Sequence, residues 1–382
     1  MAATGRTPCD RSRHDTFPVR LLALRHSPTA SGGDTTIRRI AAHLTAEGHT
    51  VALEQLPAEP GELARIARTR GIDALIGTHA YLSGAPFLDV PLPYVLVLGG
   101  TDLNEFAWEP EYLPVMTEAV GSAYAIIAFN DDFVHRCRTR WPATSGRVHR
   151  IPQGVSTEPS AFSLRAHLRL AEDDVILLLP AGLRPVKDPL FPVDVVRRWH
   201  RADPRIHLVI TGLCYEDGFA DIVARRCGPD DGVHYLPALP RPDLHAAMLE
   251  STAVLNTSLS ECSPNAVLEA MDLRRPVVVR DIPGNTCLVE DGLTGLVFGN
   301  PAEFGIKARR LVGDPRFARR IAARGQRFAR GRHGPDQERA AYGALFDRMR
   351  AELGIGVPRH DPWGETFGVP AQRSRGLTSP VS

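Results

Sequence analysis

Short apolar runs alternate with longer stretches of helical period along most of this chain. Residues 19–24, 51–53, 74–76, 94–98 and 124–128 carry few polar interruptions. Such runs suit strands buried on both faces of a sheet. Between them, stretches such as Thr36 to Glu47, closed by Gly48, read as helices. Strictly alternating β and α elements imply a parallel sheet. His149–Val155 reads as the last strand of this half and its exit, and residues 155–170 as a linker. The second half repeats the pattern. Strands are expected at 175–180, 206–211, 233–236, 253–256, 276–280 and 296–298. Helices are expected around 189–201, 242–250, 265–273, 302–312 and 315–330, with a final one at 336–353. The expected segmentation is therefore a disordered 1–17, domains at 18–160 and 161–335, the helix 336–353, and a disordered Pro/Gly-rich tail at 354–382.

Chemistry concentrates in the second half. Glu261 and Glu269 are separated by seven residues, in the run Ser260-Glu261-Cys262-Ser263-Pro264-Asn265-Ala266-Val267-Leu268-Glu269-Ala270-Met271. The Ser-Pro turn and the apolar stretch after it put Glu261 in a loop before a helix and Glu269 about one turn inside. Asn265 or Ser263 can cap that helix. Free first-turn N–H groups and the helix dipole favour an anion such as a diphosphate, while an ionised glutamate accepts from hydroxyls. Phosphates on the Cys262–Asn265 backbone and sugar hydroxyls on the acids would suit a nucleotide sugar. The spacing alone fits two surface glutamates flanking a capped helix equally well.

A second group lies after the apolar run 174–180, in Ala181-Gly182-Leu183-Arg184-Pro185-Val186-Lys187-Asp188-Pro189. Arg184 and Lys187 stand at the C-terminal end of a strand, where open α/β sheets bind ligands. Two cations there can neutralise the charge that grows on a departing nucleoside diphosphate. In isolation they read more readily as solvated charges in a proline-punctuated loop.

Together these stretches resemble the retaining glycosyltransferases of family 4. The motif Glu261…Glu269-Ala270 is followed by Pro276-Val277-Val278, Pro283-Gly284-Asn285 and Asp291-Gly292-Leu293-Thr294-Gly295. Thr101-Asp102-Leu103, Arg184–Pro189 and Ile282–Asn285 are similar also to a bacterial selenosugar synthase group. The resemblance implies a GT-B fold: two Rossmann-like α/β domains facing a cleft, with a C-terminal helix crossing back to the N-domain. It implies sugar transfer from a nucleotide diphosphate sugar, with retention of anomeric configuration and no metal. Arg184 and Lys187 would neutralise the diphosphate, Glu261 would orient the sugar, and Glu269 would hold the ribose, with Cys262, Ser263, Pro264, Asn265 and Gly284 lining the donor site. This chain departs from the family in carrying Cys262 for a glycine, Cys287 for a glutamate, and Gly99 where many members carry histidine.

In the first half, Gly32-Gly33 lies between a strand and a helix and could approach a sugar or its phosphates. Thr101 and Asp102 follow the strand 94–98. Asp102 could position or deprotonate an acceptor, or could simply cap the next helix. His79 also ends a strand and reads either as a cleft residue or as a structural one. Asn130-Asp131-Asp132 reads as a helix cap.

Composition narrows the partners. Lys+Arg 45 against Asp+Glu 44 gives a formal net charge of +1, which offers nucleic acid no basic surplus. Six cysteines without a CxxC pair read as reduced thiols of a cytoplasmic protein. No apolar run approaches the ~18 residues of a membrane span, and no carboxylate pair or histidine cluster has metal-ligand spacing. The expected partners are a nucleotide sugar, as co-substrate and not cofactor, and a small-molecule acceptor. Two other readings fit the same residues: a sugar–heteroatom synthase using selenophosphate or thiophosphate, and a non-catalytic nucleotide-sugar-binding regulator.

Overall fold

The computed structural model describes residues 18–25, 32–59, 61–216 and 218–356. The expectation of disorder at 1–17 and through most of the tail falls on residues outside this set, as does the loop 26–31.

Two six-stranded sheets, both wholly parallel, form the framework. The first comprises β1 (Arg20–Arg25), β2 (Thr50–Gln55), β3 (Ala74–Thr78), β4 (Tyr94–Val97), β5 (Ala125–Ala128) and β6 (Val148–Arg150), in the order β2-β1-β3-β4-β5-β6. The second comprises β7 (Val175–Pro180), β8 (Ile206–Thr211), β9 (Val233–Leu236), β10 (Ala253–Asn256), β11 (Val277–Arg280) and β12 (Leu296–Phe298), in the order β12-β11-β10-β7-β8-β9. Helices cover both faces of each sheet, which is why the central strands are unbroken apolar runs. Every residue of β3, β4, β5, β8 and β10 is buried. Each such Val, Leu or Ile contributes about 1.5–3 kcal/mol relative to exposure.

The two strand orders fix where ligands can enter. In each sheet the chain winds outward one way, then restarts beside its first strand and winds the other way. The reversal falls between β1 and β3 in the first sheet and between β7 and β10 in the second. Loops leaving the C-terminal ends of those strands diverge and open a crevice.

The final helix, Pro335–Leu353, crosses back onto the first domain. Tyr342, Leu345, Phe346 and Met349 are buried within that domain's apolar core. Glu338, fully buried on the same helix, receives Arg39 Nε at 2.7 Å and lies 3.0 Å from His43 Nε2. Gly154 makes this approach possible, since a Cβ there would lie 2.5 Å from Glu338 Oε2.

Three expectations are corrected. The first helix begins at Gly32, not Thr36, so Gly32 and Gly33 are its opening turn and not part of a loop. The 155–170 stretch contains a short helix, Leu164–Leu168, whose Leu164 is buried in the second domain's core. Neither Asn265 nor Ser263 caps the helix Asn265–Asp272. Its N-cap is Pro264, without a side-chain cap bond.

Candidate functional site

Lys187 and Glu261 meet at the second sheet's reversal. Lys187 ends the short turn after β7, and Glu261 lies in the loop after β10. Lys187 Nζ donates to Glu261 Oε1 at 2.5 Å, with side chains 18% and 13% exposed. Ser258 Oγ donates to the same oxygen at 2.7 Å, and Asn256 Nδ2 lies 3.4 Å away. Asn285 in turn donates to Asn256 Oδ1 at 3.1 Å and orients that amide. Burial alone would raise the Glu261 carboxyl. The Lys187 ammonium, with hydrogen bonds from Lys187, Ser258 and Asn256, overcomes that and holds it below the usual glutamate value. Glu261 is thus an ionised carboxylate with a largely enclosed environment.

The two loops are fastened together by backbone. Thr257 Oγ1 donates to the carbonyls of Lys187 and Asp188, at 3.0 and 2.9 Å, and Leu259 N–H donates to Val186 O at 2.8 Å. Two glycines permit the packing. A Cβ on Gly284 would fall 2.3 Å from Glu261 O, and one on Gly182 would fall 2.4 Å from the Tyr215 ring. Arg184, half-buried on the same turn as Lys187, has a side chain that makes no hydrogen bond or ion pair among the described residues. Its guanidinium is available to an anion.

Glu269 sits within the helix Asn265–Asp272, 5% exposed. Arg241 Nη2 and Nε approach its Oε1 at 2.9 and 3.1 Å. His245 Nε2 stands 3.7 Å from Oε2, and its Nδ1 accepts from Glu158 N–H at 3.0 Å. Burial would raise this carboxyl, and His245 and Arg241 bring it below the usual value. A carboxylate offers about four acceptor positions, so Arg241 leaves room for a hydroxyl. At the start of this helix, the N–H groups of Asn265 and Ala266 and the buried Ser263 hydroxyl have no partner among the described residues. Gly32 opens the first domain's helix opposite, where an added Cβ would be 3.9 Å from Asn265 Nδ2.

Asp102 is placed differently from the acceptor-positioning role. It is fully buried, with Oδ1 accepting from Ala80 N–H and Oδ2 from Gly99 N–H, both at 2.7 Å. Those bonds tie the loops after β3 and β4 together, so of its two readings the cap is the one the geometry carries. His79 joins it, with Nδ1 3.3 Å from Asp102 Oδ1. His79 Nδ1 accepts from Tyr81 and Leu82 N–H at 3.2 Å, in a left-handed turn with φ 79°. Burial pulls its pKa down to about 3, so it is a neutral imidazole. Its ring packs edge-on to Phe106, 4.7 Å between centroids. Thr101 and Gly100 lie on the short helix Gly100–Asn104, with Gly100 against the Glu261 loop. Asn130 does cap its helix, accepting from Phe133 N–H at 2.9 Å.

Cys262 directly follows Glu261, and Cys287 Sγ lies 3.8 Å from the Cys262 carbonyl. Burial pushes the Cys262 thiol well up and the Cys287 thiol to about 11, so neither is a thiolate at neutral pH. Among the described residues, no group of three or more His, Cys, Asp or Glu could hold a metal ion, and no helix is long and apolar enough to cross a membrane.

Sequence reasoning missed Asn256, Ser258 and Asn285, which set the Glu261 carboxylate, and Arg241, which pairs with Glu269. Arg241 directly precedes the expected 242–250 helix, and an arginine in a helix's first turn is an unusual charge for that end. Asn256 carried no comparable signal, and Asn285 stood in the Pro283-Gly284-Asn285 motif without an assigned role.

Comparison with known proteins agrees with this fold. Residues 161–328 match the family model described as Glycosyl transferases group 1. Glycosyltransferase 1 domain-containing protein 1 of Xenopus tropicalis is 33% identical over 345 residues, covering 88% of this chain and 100% of the relative. A D-inositol 3-phosphate glycosyltransferase of Kribbella flavida is 28% identical over 297 residues, 69% of this chain and 68% of its own. Among solved structures, Anabaena Alr3699/HepE in complex with UDP-glucose matches with a TM-score of 0.71 at 18% identity, covering 86% of this chain and 99% of that one. Sucrose-phosphate synthase from Thermosynechococcus elongatus matches with a TM-score of 0.71 at 16% identity, covering 88% and 100%. The fold is GT-B, and the chain belongs to the glycosyltransferase group 1 family.

Proposed function

We propose that this protein transfers a sugar from a nucleoside diphosphate sugar to a small-molecule acceptor, as a family 4 enzyme acting with retention of configuration. The observation that carries the reading is the ionised Glu261, paired with Lys187 and flanked by the available Arg184, at the reversal point of the second sheet. The diphosphate would lie between Arg184, Lys187 and the free N–H groups of Asn265 and Ala266. Charge accumulating on the leaving diphosphate would then meet cations already in place, with little reorganisation. Glu261 would accept from sugar hydroxyls and orient the hexose or N-acetylhexosamine, and Glu269 would accept from the ribose. Solved neighbours in complex with UDP-glucose, or with UDP and glucose, support a UDP-linked donor.

The sugar–heteroatom reading needs an anionic acceptor, and arginines free to bind it around His79 and Asp102 would favour it. Phe106, Tyr81 and Tyr112 pack around His79, with Phe106 and Tyr112 4.5 Å apart, and the nearby Arg136 is bonded to Leu103 O and Asn104 Oδ1. The binding-only reading is opposed by the ionised Glu261 beside two cations.

The test is a donor screen with UDP-, GDP-, ADP- and TDP-sugars, following nucleoside diphosphate release by mass spectrometry beside Glu261→Gln. Release from one donor that the substitution abolishes supports the transferase. Absence of both release and donor binding, with selenophosphate or a cell extract supplied as acceptor, overturns it.

A further inference from the structure

Three amide side chains of the first domain reach across to three consecutive carbonyls of the Glu261 loop. Asn104 Nδ2 donates to Glu261 O at 3.4 Å, and also to Ser260 Oγ at 2.6 Å. Asn130 Nδ2 donates to Cys262 O at 2.9 Å. Gln153 Nε2 donates to Ser263 O at 3.3 Å. The three amides follow β4, β5 and β6, which are neighbours in the first sheet.

Two of the amides are held the right way round by their own domain. Arg136 Nη1 donates to Asn104 Oδ1 at 2.6 Å, and Phe133 N–H to Asn130 Oδ1 at 2.9 Å. Flipping either would set an NH2 against a donor, so these NH2 groups face the other domain by construction. Gln153 is oriented instead by the second domain, where its Nε2 meets Ser263 O.

We infer that Asn104, Asn130 and Gln153 are positioning residues that lock the Glu261 loop when the domains close. The peptide unit is planar, and its C=O and N–H point in opposite directions. Fixing the carbonyls of Glu261 and Cys262 therefore fixes the N–H directions of Cys262 and Ser263 and the backbone from which the Glu261 carboxylate projects. The bonds join two domains, so any opening of the cleft breaks them and frees that loop. The clasp makes the geometry of the sugar-orienting acid conditional on closure. None of the three amides need touch substrate. In its turnover arm the inference rests on the proposed transferase reading.

The test uses Asn104→Asp, Asn130→Asp and the double variant in the full chain. Aspartate keeps the oxygen that accepts from Arg136 or caps the helix from Phe133 N–H, and replaces the reaching NH2 with a carboxylate oxygen that repels the carbonyl it faces. Closure is read by small-angle X-ray scattering with and without saturating UDP, and turnover by UDP release from the donor found active. Losing one such bond should lower the closed-to-open ratio about five-fold, so the double variant should lose the UDP-induced contraction and about ten-fold or more in kcat. Donor KM should change less than about three-fold, the signature of an interaction felt after binding. An Asn130→Ser variant retains the cap and should reproduce the Asn130→Asp result. Scattering and kcat equal to the parent's overturn the inference, as does a kcat loss matching only the loss of folded protein. If the parent turns over no donor, that result counts against the proposed function, and scattering alone decides the clasp.

Discussion

Replacing Lys187 with methionine isolates the electrostatics of the site. In the parent, Glu261 titrates below its unfolded value of 4.5. Its contribution to stability is present above that value and is lost as pH falls through the folded pKa. In Lys187→Met the main opposing charge is gone, burial prevails, and the folded pKa rises above the unfolded one. The sign then reverses: this carboxyl costs the folded state progressively as pH rises between the two values. Stranding one member of a fully buried ion pair costs about 3–5 kcal/mol. With 18% and 13% of the side chains exposed, and with Ser258 and Asn256 still donating, a loss of about 2–3 kcal/mol at neutral pH is expected. That lowers the melting midpoint of this domain by roughly 5–10 °C. Differential scanning calorimetry of parent and variant at about pH 4 and about pH 7.5 would measure it, since those values lie either side of the ordinary glutamate value of 4.5. The gap should be wide at the higher pH and narrow at the lower. A gap that is constant, or widest in acid, would refute the reasoning, because loss of packing alone has no reason to follow the Glu261 titration.

Further outcomes follow from the same geometry. Gly284→Ala places a Cβ 2.3 Å from Glu261 O; it should cost about 1–3 kcal/mol in urea unfolding and reduce donor turnover through the displaced loop. Arg241→Leu leaves Glu269 buried with only His245 near it; the carboxyl should titrate higher, and donor KM should rise more than kcat falls, if Glu269 holds the ribose. Asp102→Asn sets an NH2 against the N–H of Ala80 or Gly99; it should cost about 1–3 kcal/mol of stability with an unchanged pH–rate profile, whereas a base role would appear as lost turnover at unchanged melting temperature.

The strands were legible because burial on both faces leaves a strong, simple trace. The runs 175–180, 206–211, 233–236, 253–256 and 296–298 coincide with β7, β8, β9, β10 and β12. Helix starts were less legible. Gly32 and Gly33 have poor helix propensity, yet they open a helix whose apolar face packs on the first core. Arg184, Lys187 and Glu261 stood out as charged residues at strand ends against apolar runs, and Glu269 as a charge inside an apolar helix; the structure pairs Lys187 with Glu261 and buries Glu269 beside Arg241. Asp102 and His79 were not resolved by sequence: a carboxylate that binds backbone N–H groups and one that faces a cleft have the same local pattern. The amides that grip the Glu261 loop come from three separate strand ends, and no spacing rule connects them.

The helix Pro335–Leu353 also carries a consequence for biosynthesis. Tyr342, Leu345, Phe346 and Met349 fill the first domain's core, yet nearly 200 residues are translated between that domain's last strand, Val148–Arg150, and this helix. At ordinary elongation rates the nascent first domain waits about 10–40 s with part of its apolar interior open. The second domain emerges and can fold during that interval, so the domain that is made first is finished last. Holdase chaperones would therefore be expected to dwell on the N-terminal half, and a ribosome stalled late in the message would release a chain whose exposed, aggregation-prone surface lies far upstream of the break.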